Sequence, residues 1–178
     1  MFYYYTMMFP SLLLLLLGVY FTSGFISFHH QKCFSRENIN MLKIAHRGYS
    51  EKYGDNNMKA FREALYAGFD MIELDILLCR TGEIVIYHDT YIEEKYINQL
   101  DYKDLKKYNI ILLEEFLEEF YNKDVLIYFD LKGEHNVVYP LIDLIKRWFS
   151  EEKMRDIYIS GFNRRFLDPL VESNLPVK

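Results

Sequence analysis

From residue 42 onward the chain alternates short apolar runs with amphipathic stretches, the pattern of βα units stacked on a parallel sheet. Five runs, at residues 42–45, 71–77, 84–87, 125–131 and 157–160, are rich in β-branched or aromatic residues and predict strands. Between the first two, Met58, Phe61, Ala64 and Leu65 recur at helical spacing, with Asn and Asp available as N-cap and Gly68 as the stop. A second helix is predicted over residues 112–121, where Leu113, Phe116, Leu117 and Phe120 share one side and four glutamates form the solvated other. Pro140 suits the first turn of a third helix, whose buried stripe carries Leu141, Ile142, Leu144, Ile145, Trp148 and Phe149. Residues 90–110 read as loop plus a short helix, residues 164–172 as helical, and residues 175–178 as the approach to a sixth strand.

Residues 1–31 are unlike the rest, because every Asp, Glu, Lys and Arg lies from Lys32 onward. Residues 7–28 contain six consecutive leucines and no charged side chain to desolvate, a stretch just long enough to span a bilayer. The expectation is a single-pass membrane anchor; the alternative is a signal segment cleaved near Thr22-Ser23-Gly24, although no cation precedes the leucines. The domain organisation expected is therefore a hydrophobic helix in residues 1–31 and one folded unit in residues 32–178, with no repeat and no Pro- or Gly-rich divider. The net charge of -5 supplies no global positive field, which argues against a nucleic-acid partner. Cys33 and Cys79 have no metal-ligand spacing and read as ordinary thiols.

In such an architecture, chemistry gathers at the carboxyl ends of the strands. Those ends carry His46-Arg47-Gly48, Glu73-Leu74-Asp75, His88-Asp89 and Asp130-Leu131-Lys132. Glu73 and Asp75 are two apart and share a face of their strand, so two like charges are forced together unless a cation joins them. A divalent metal with oxygen ligands answers that need, with Asp130 as a third ligand; the donor set admits Mg²⁺ and Ca²⁺ alike. His46 and His88 are the only histidines at predicted strand ends, and imidazole exchanges protons near neutral pH. Arg47 brings a planar fork suited to a phosphate or carboxylate, and Lys132 points with Asp130. His29, His30 and His135 lack such company.

The ordered series His46-Arg47-Gly48, Asn56, Ala60-Phe61, Ala64, Gly68, Ile72-Glu73-Leu74-Asp75, Thr81-Gly82 and His88-Asp89 closely resembles the glycerophosphodiester phosphodiesterases. The likeness continues more weakly through residues 113–117, Asp130-Leu131-Lys132 and Ser160-Gly161-Phe162. It implies a TIM barrel, His46 and His88 as the acid and base, Glu73 and Asp75 as metal ligands, and Arg47 and Lys132 on the phosphate. Two departures stand out: Gly54-Asp55-Asn56-Asn57 replaces the usual Pro-Glu-Asn-Thr, and Asp130 replaces a Glu as third ligand. A (β/α)₈ barrel usually takes about 250 residues, so the expected fold is a TIM-barrel type truncated to about five βα units. The function so implied is metal-dependent hydrolysis of glycerophosphodiesters at a membrane. Its rivals are a phospholipase or lyase acting on choline- or inositol-bearing lipids, with lysophospholipid-like substrates, and an inactive tethered remnant.

Overall fold

The computed structural model describes residues 41–178, and the hydrophobic segment expected at residues 7–28 lies outside them. Among the described residues, no helix is long and apolar enough to cross a membrane. In chain order the elements begin with β1 (Ile44–Ala45), α1 (Ser50–Tyr53), α2 (Met58–Tyr66), β2 (Met71–Leu78) and β3 (Ile84–Ile86). A small hairpin of β4 (Tyr91–Ile92) and β5 (Lys95–Tyr96) leads to α3 (Tyr102–Leu105), β6 (Ile111–Leu112) and α4 (Leu113–Phe120). Then follow β7 (Leu126–Leu131), α5 (Val138–Trp148), α6 (Glu151–Met154), β8 (Ile157–Gly161) and α7 (Asp168–Glu172).

The strands β1, β2, β7 and β8 lie side by side and parallel, with helices between them in sequence. After α7 the backbone returns to β8, where Lys178 donates to Ile157 O and accepts from Ile159 N, both at 2.9 Å. These two bonds follow the parallel pattern at one residue beside β8, in keeping with the approach expected at residues 175–178. The sheet does not close into a barrel among the described residues.

One expectation is corrected. The run at 84–87 is not the strand of a βα unit, because β3 pairs antiparallel with β2, Ile76 opposite Ile86 and Leu78 opposite Ile84. Five residues separate the two strands, whereas a parallel crossover needs a dozen or more. The turn closes through Gly82, at φ +94°, and Cys79 N donates to Glu83 O at 3.0 Å. Next to β3 lies β6, a two-residue strand hidden in what reads as the start of a helix. β2 has room for both neighbours along one edge: β1 covers its first two residues and β3 its last three.

Alternation along β2 explains the two cores. Ile72, Leu74 and Ile76 face the helices and pack with Phe61, Phe116 and Phe120, while Leu77 packs with Val85, Ile97 and Leu105 of the excursion. Phe116 and Phe120 stack at 4.6 Å between centroids, and Phe61 meets Phe116 edge-on at 5.0 Å, locking α2 to α4. Asn57 caps α2 by accepting from Ala60 N at 2.9 Å. The acidic face of α4 is partly neutralised, with Glu119 held by Arg62 and Glu114 by Arg147.

Gly48 lets β1 turn sharply over α2. Its φ is +77°, and a Cβ there would lie 2.9 Å from Ala60 Cβ, the Ala60 carbonyl carbon and the Phe61 ring. Neither backbone nor a fully buried ring yields cheaply. Gly48→Ala is therefore expected to cost about 2–4 kcal/mol, combining a left-handed non-glycine residue with overpacking. Urea unfolding followed by circular dichroism measures this; Gly68→Ala, where the added Cβ meets nothing within 4 Å, pays only the conformational part.

Candidate active site

Strand pairing builds the site as a row. Asp75 on β2 stands opposite Asp130 on β7, and Asp130 opposite Ser160 on β8. Adjacent strands are about 4.8 Å apart, so pairing alone brings the Asp75 and Asp130 carboxylates together on the face turned away from the helices. Glu73 lies two residues before Asp75 and shares that face. One carboxylate oxygen from each of Glu73, Asp75 and Asp130 falls within 4.8 Å of the others.

Arg47 clamps this group from the β1 side. Its φ of +58° and that of Gly48 turn the chain so that the Arg47 amide donates to Glu73 Oε2 at 2.7 Å. Its guanidinium places Nε 3.1 Å from Asp75 Oδ2 and Nη1 2.9 Å from Asp55 Oδ2. From β7, Lys132 Nζ lies 2.5 Å from Asp130 Oδ2 and 3.2 Å from Asp75 Oδ1. Burial alone would lower the Lys132 pKa; Asp130 and Asp75 outweigh it, so the net direction is up and the ammonium stays charged. Arg47 and Lys132, expected on a phosphate, thus contact carboxylates.

The two histidines lie on segments that adjoin β2 through the backbone. His46 directly precedes Arg47, and its exposed imidazole has no hydrogen bond among the described residues. His88 directly follows Tyr87, whose amide donates to Asp75 O at 3.1 Å, and its Nδ1 lies 2.7 Å from Asp89 Oδ1. Each histidine is thus one residue from a backbone donor to Glu73 or Asp75. Because β3 runs antiparallel, His88 follows a returning hairpin strand and not the carboxyl end of a parallel strand. His135 is exposed on a 3₁₀ turn, and His29 and His30 lie outside the described residues.

The donor set fits a divalent cation. Three oxygen ligands converge, and Asp75 Oδ1 is buried without a hydrogen bond, its contact with Lys132 being close but poorly angled. Glu73, Asp75 and Asp130 would hold the ion. Burial, reinforced by Asp75 and Asp130 and opposed by the Arg47 amide, pushes the Glu73 carboxyl up to about 7. Three acids facing two cations thus shed part of their repulsion onto a proton when no metal is bound.

The model of the glycerophosphoryl diester phosphodiesterase family matches residues 46–172, from His46 through the end of α7. The chain belongs to that family. A glycerophosphodiester phosphodiesterase of Caldanaerobacter subterraneus subsp. tengcongensis is 32% identical over 145 residues, covering 68% of this chain and 58% of the relative. A glycerophosphodiester phosphodiesterase from Parabacteroides distasonis shares the fold at TM-score 0.68 and 23% identity, covering 77% of this chain and 63% of the other. A phosphodiesterase of Oleispira antarctica, in complex with the product sn-glycerol-3-phosphate, matches at TM-score 0.63 and 21% identity over 71% of this chain and 60% of its own. The chain spans about three fifths of the length of these family relatives.

Two of the family-like residues have structural roles that sequence reasoning left blank. Asn56, buried with φ +52°, donates through Nδ2 to Asp75 Oδ2 at 2.8 Å and accepts from the Asp75 amide at 3.3 Å. Ser160 donates to Asp130 Oδ1 at 2.9 Å and accepts from Tyr128 OH at 3.0 Å. A usable signal existed: a buried carboxylate on an inner strand needs donors from its neighbours, and Asn56 and Ser160 are short polar residues near the ends of adjoining segments.

The Glu73 shift carries a sign. Folded Glu73 keeps its proton up to about pH 7, whereas the unfolded side chain loses it near 4.5. Metal-free protein therefore binds more protons folded than unfolded in that window, and stability falls as pH rises across it. Urea midpoints in chelator at pH 5 and pH 8 should show this fall, and Glu73→Gln should remove the part due to Glu73.

Proposed function

We propose that the chain hydrolyses glycerophosphodiesters to glycerol phosphate and an alcohol, with a divalent cation on Glu73, Asp75 and Asp130 and an acid-base pair of His46 and His88. The observation that carries this reading is the convergence of three carboxylates, within 4.8 Å, between Arg47 and Lys132. Family membership and the product-bound phosphodiesterase among its structural neighbours supply the substrate class. Mg²⁺ and Ca²⁺ both suit an all-oxygen donor set.

A cation held by Glu73, Asp75 and Asp130 would supply Lewis acidity toward the phosphate. Arg47 and Lys132 offer their N–H groups to the non-bridging oxygens, favouring the more highly charged transition state. One imidazole takes a proton from water as its oxygen bonds to phosphorus; the other gives a proton to the alcohol oxygen as that P–O bond breaks. The contact between His88 Nδ1 and Asp89 orients the ring and leaves Nε2 available for this work. His46, unpaired among the described residues, is free to turn toward water or substrate.

Membrane attachment through residues 7–28 belongs to the same reading, supported by the absence of Asp, Glu, Lys and Arg from residues 1–31. Sequencing the mature N-terminus tests it: a start near Phe25 would establish a cleaved signal in place of an anchor.

His46→Ala and His88→Ala should each lower kcat on a glycerophosphodiester by about 10²- to 10⁴-fold while keeping the wild-type circular dichroism spectrum. Chelation should abolish turnover, and Mg²⁺ or Ca²⁺ should restore it. Full activity in either histidine variant excludes the mechanism, and a cyclic phosphate product would identify a lyase.

A further inference from the structure

Beside the carboxylate cluster lies a cavity of about 390 Å³ for which the hydrolytic reading assigns no occupant. It lies past the carboxyl ends of β2 and β7 and is lined also by Thr90 and Tyr96, which bracket the hairpin. Leu77 and Leu78 form its apolar wall, and Tyr96, Asn98 and Glu134 contribute to the rest. Lys132 lines it too, and the same ammonium contacts Asp130 and Asp75. A diester whose phosphate meets Lys132 therefore has this cavity within reach of one of its two ester arms. The volume is near the small end for ligand pockets, which suits a head group better than an acyl chain.

The charges in the cavity are unequal. Lys132 is neutralised by its two aspartates, whereas Glu134 has no cationic partner among the described residues. Glu134 Oε1 accepts only from Asn98 Nδ2, at 2.8 Å, a contact that ties the segment after β5 to the loop after β7 and orients the carboxylate. Tyr96, which is more than half exposed, adds an aromatic surface. A carboxylate oriented by one hydrogen bond and an aromatic ring, both exposed, beside apolar walls make an environment for an organic ammonium group.

The geometry points to a head-group subsite: this cavity receives the alcohol part of the diester, and Glu134 with Tyr96 selects a cationic amino alcohol over a neutral polyol. The assignment deepens the hydrolytic reading and rests on it for the placement of the phosphate. Glu134 acts here as a specificity residue and takes no part in bond breaking.

Calorimetric binding of glycerophosphocholine and glycerophosphoglycerol to the full Ca²⁺-loaded chain, in a His46→Ala background that slows turnover and is otherwise wild type at Glu134 and Tyr96, tests the subsite. The choline diester should bind about tenfold more tightly, the order expected from one carboxylate and one aromatic contact in a partly open site. Glu134→Gln keeps an acceptor for Asn98, so its fold should persist while the affinity ratio falls toward one; Tyr96→Ser should reduce the ratio and Tyr96→Phe should retain it. A ratio near one in the His46→Ala background alone, a ratio unchanged by Glu134→Gln, or binding of neither diester overturns the proposal. Selective binding with no hydrolysis of either diester by the metal-loaded wild-type chain would instead overturn the hydrolytic reading and leave the subsite standing. Hydrolysis of both with no preference would do the reverse.

Discussion

Three carboxylates held together on one face of a parallel sheet are the constraint to which the rest of the structure answers. Left alone, like charges at this separation repel strongly, and burial on β2 deprives Glu73 and Asp75 of the water that would screen them. The chain meets the cost locally. Arg47 and Lys132 bring positive charge, Asn56 and Ser160 bring neutral donors, and Glu73 retains a proton near neutrality. Each compensating group comes from a different segment, so the cluster binds β1, the loop before α2, β7 and β8 into one arrangement.

Packing on the opposite face keeps that arrangement in register. Ile72, Leu74 and Ile76 of β2 and Ile127, Phe129 and Leu131 of β7 are buried against the helices. A one-residue slip of either strand would turn its carboxylates toward these helices and its aliphatic side chains toward the site. Hydrophobic burial thus specifies the positions of the charges, although the charges themselves oppose folding. The tight turn at Arg47 and Gly48 serves the same end, because it aims a backbone amide and a guanidinium at two different acids.

Much of this was legible in the sequence because it depends on periodicity. The four parallel strands and the helices α2, α4 and α5 follow apolar spacing, and the pairing of Glu73 with Asp75 follows from their separation of two. The direction of β3 was harder to read, since three aliphatic residues look alike in either orientation; the five-residue connection was the decisive clue. β6 escaped notice because two residues show no alternation and merge with the apolar face of α4. The roles of Asn56 and Ser160 depend on contacts between distant segments, with 19 and 30 residues separating each from its aspartate. No local pattern encodes such a pairing.

The antiparallel return of β3 separates the protein into a constant part and an adjustable one. Everything from the end of β2 to the beginning of α4 is a detour beside the parallel strands, so residues can be added or removed there without altering the Asp75–Asp130 register. One histidine and part of the cavity wall travel with that detour. Changes in its length would therefore reshape the wall of that cavity while the underlying acid cluster stayed put.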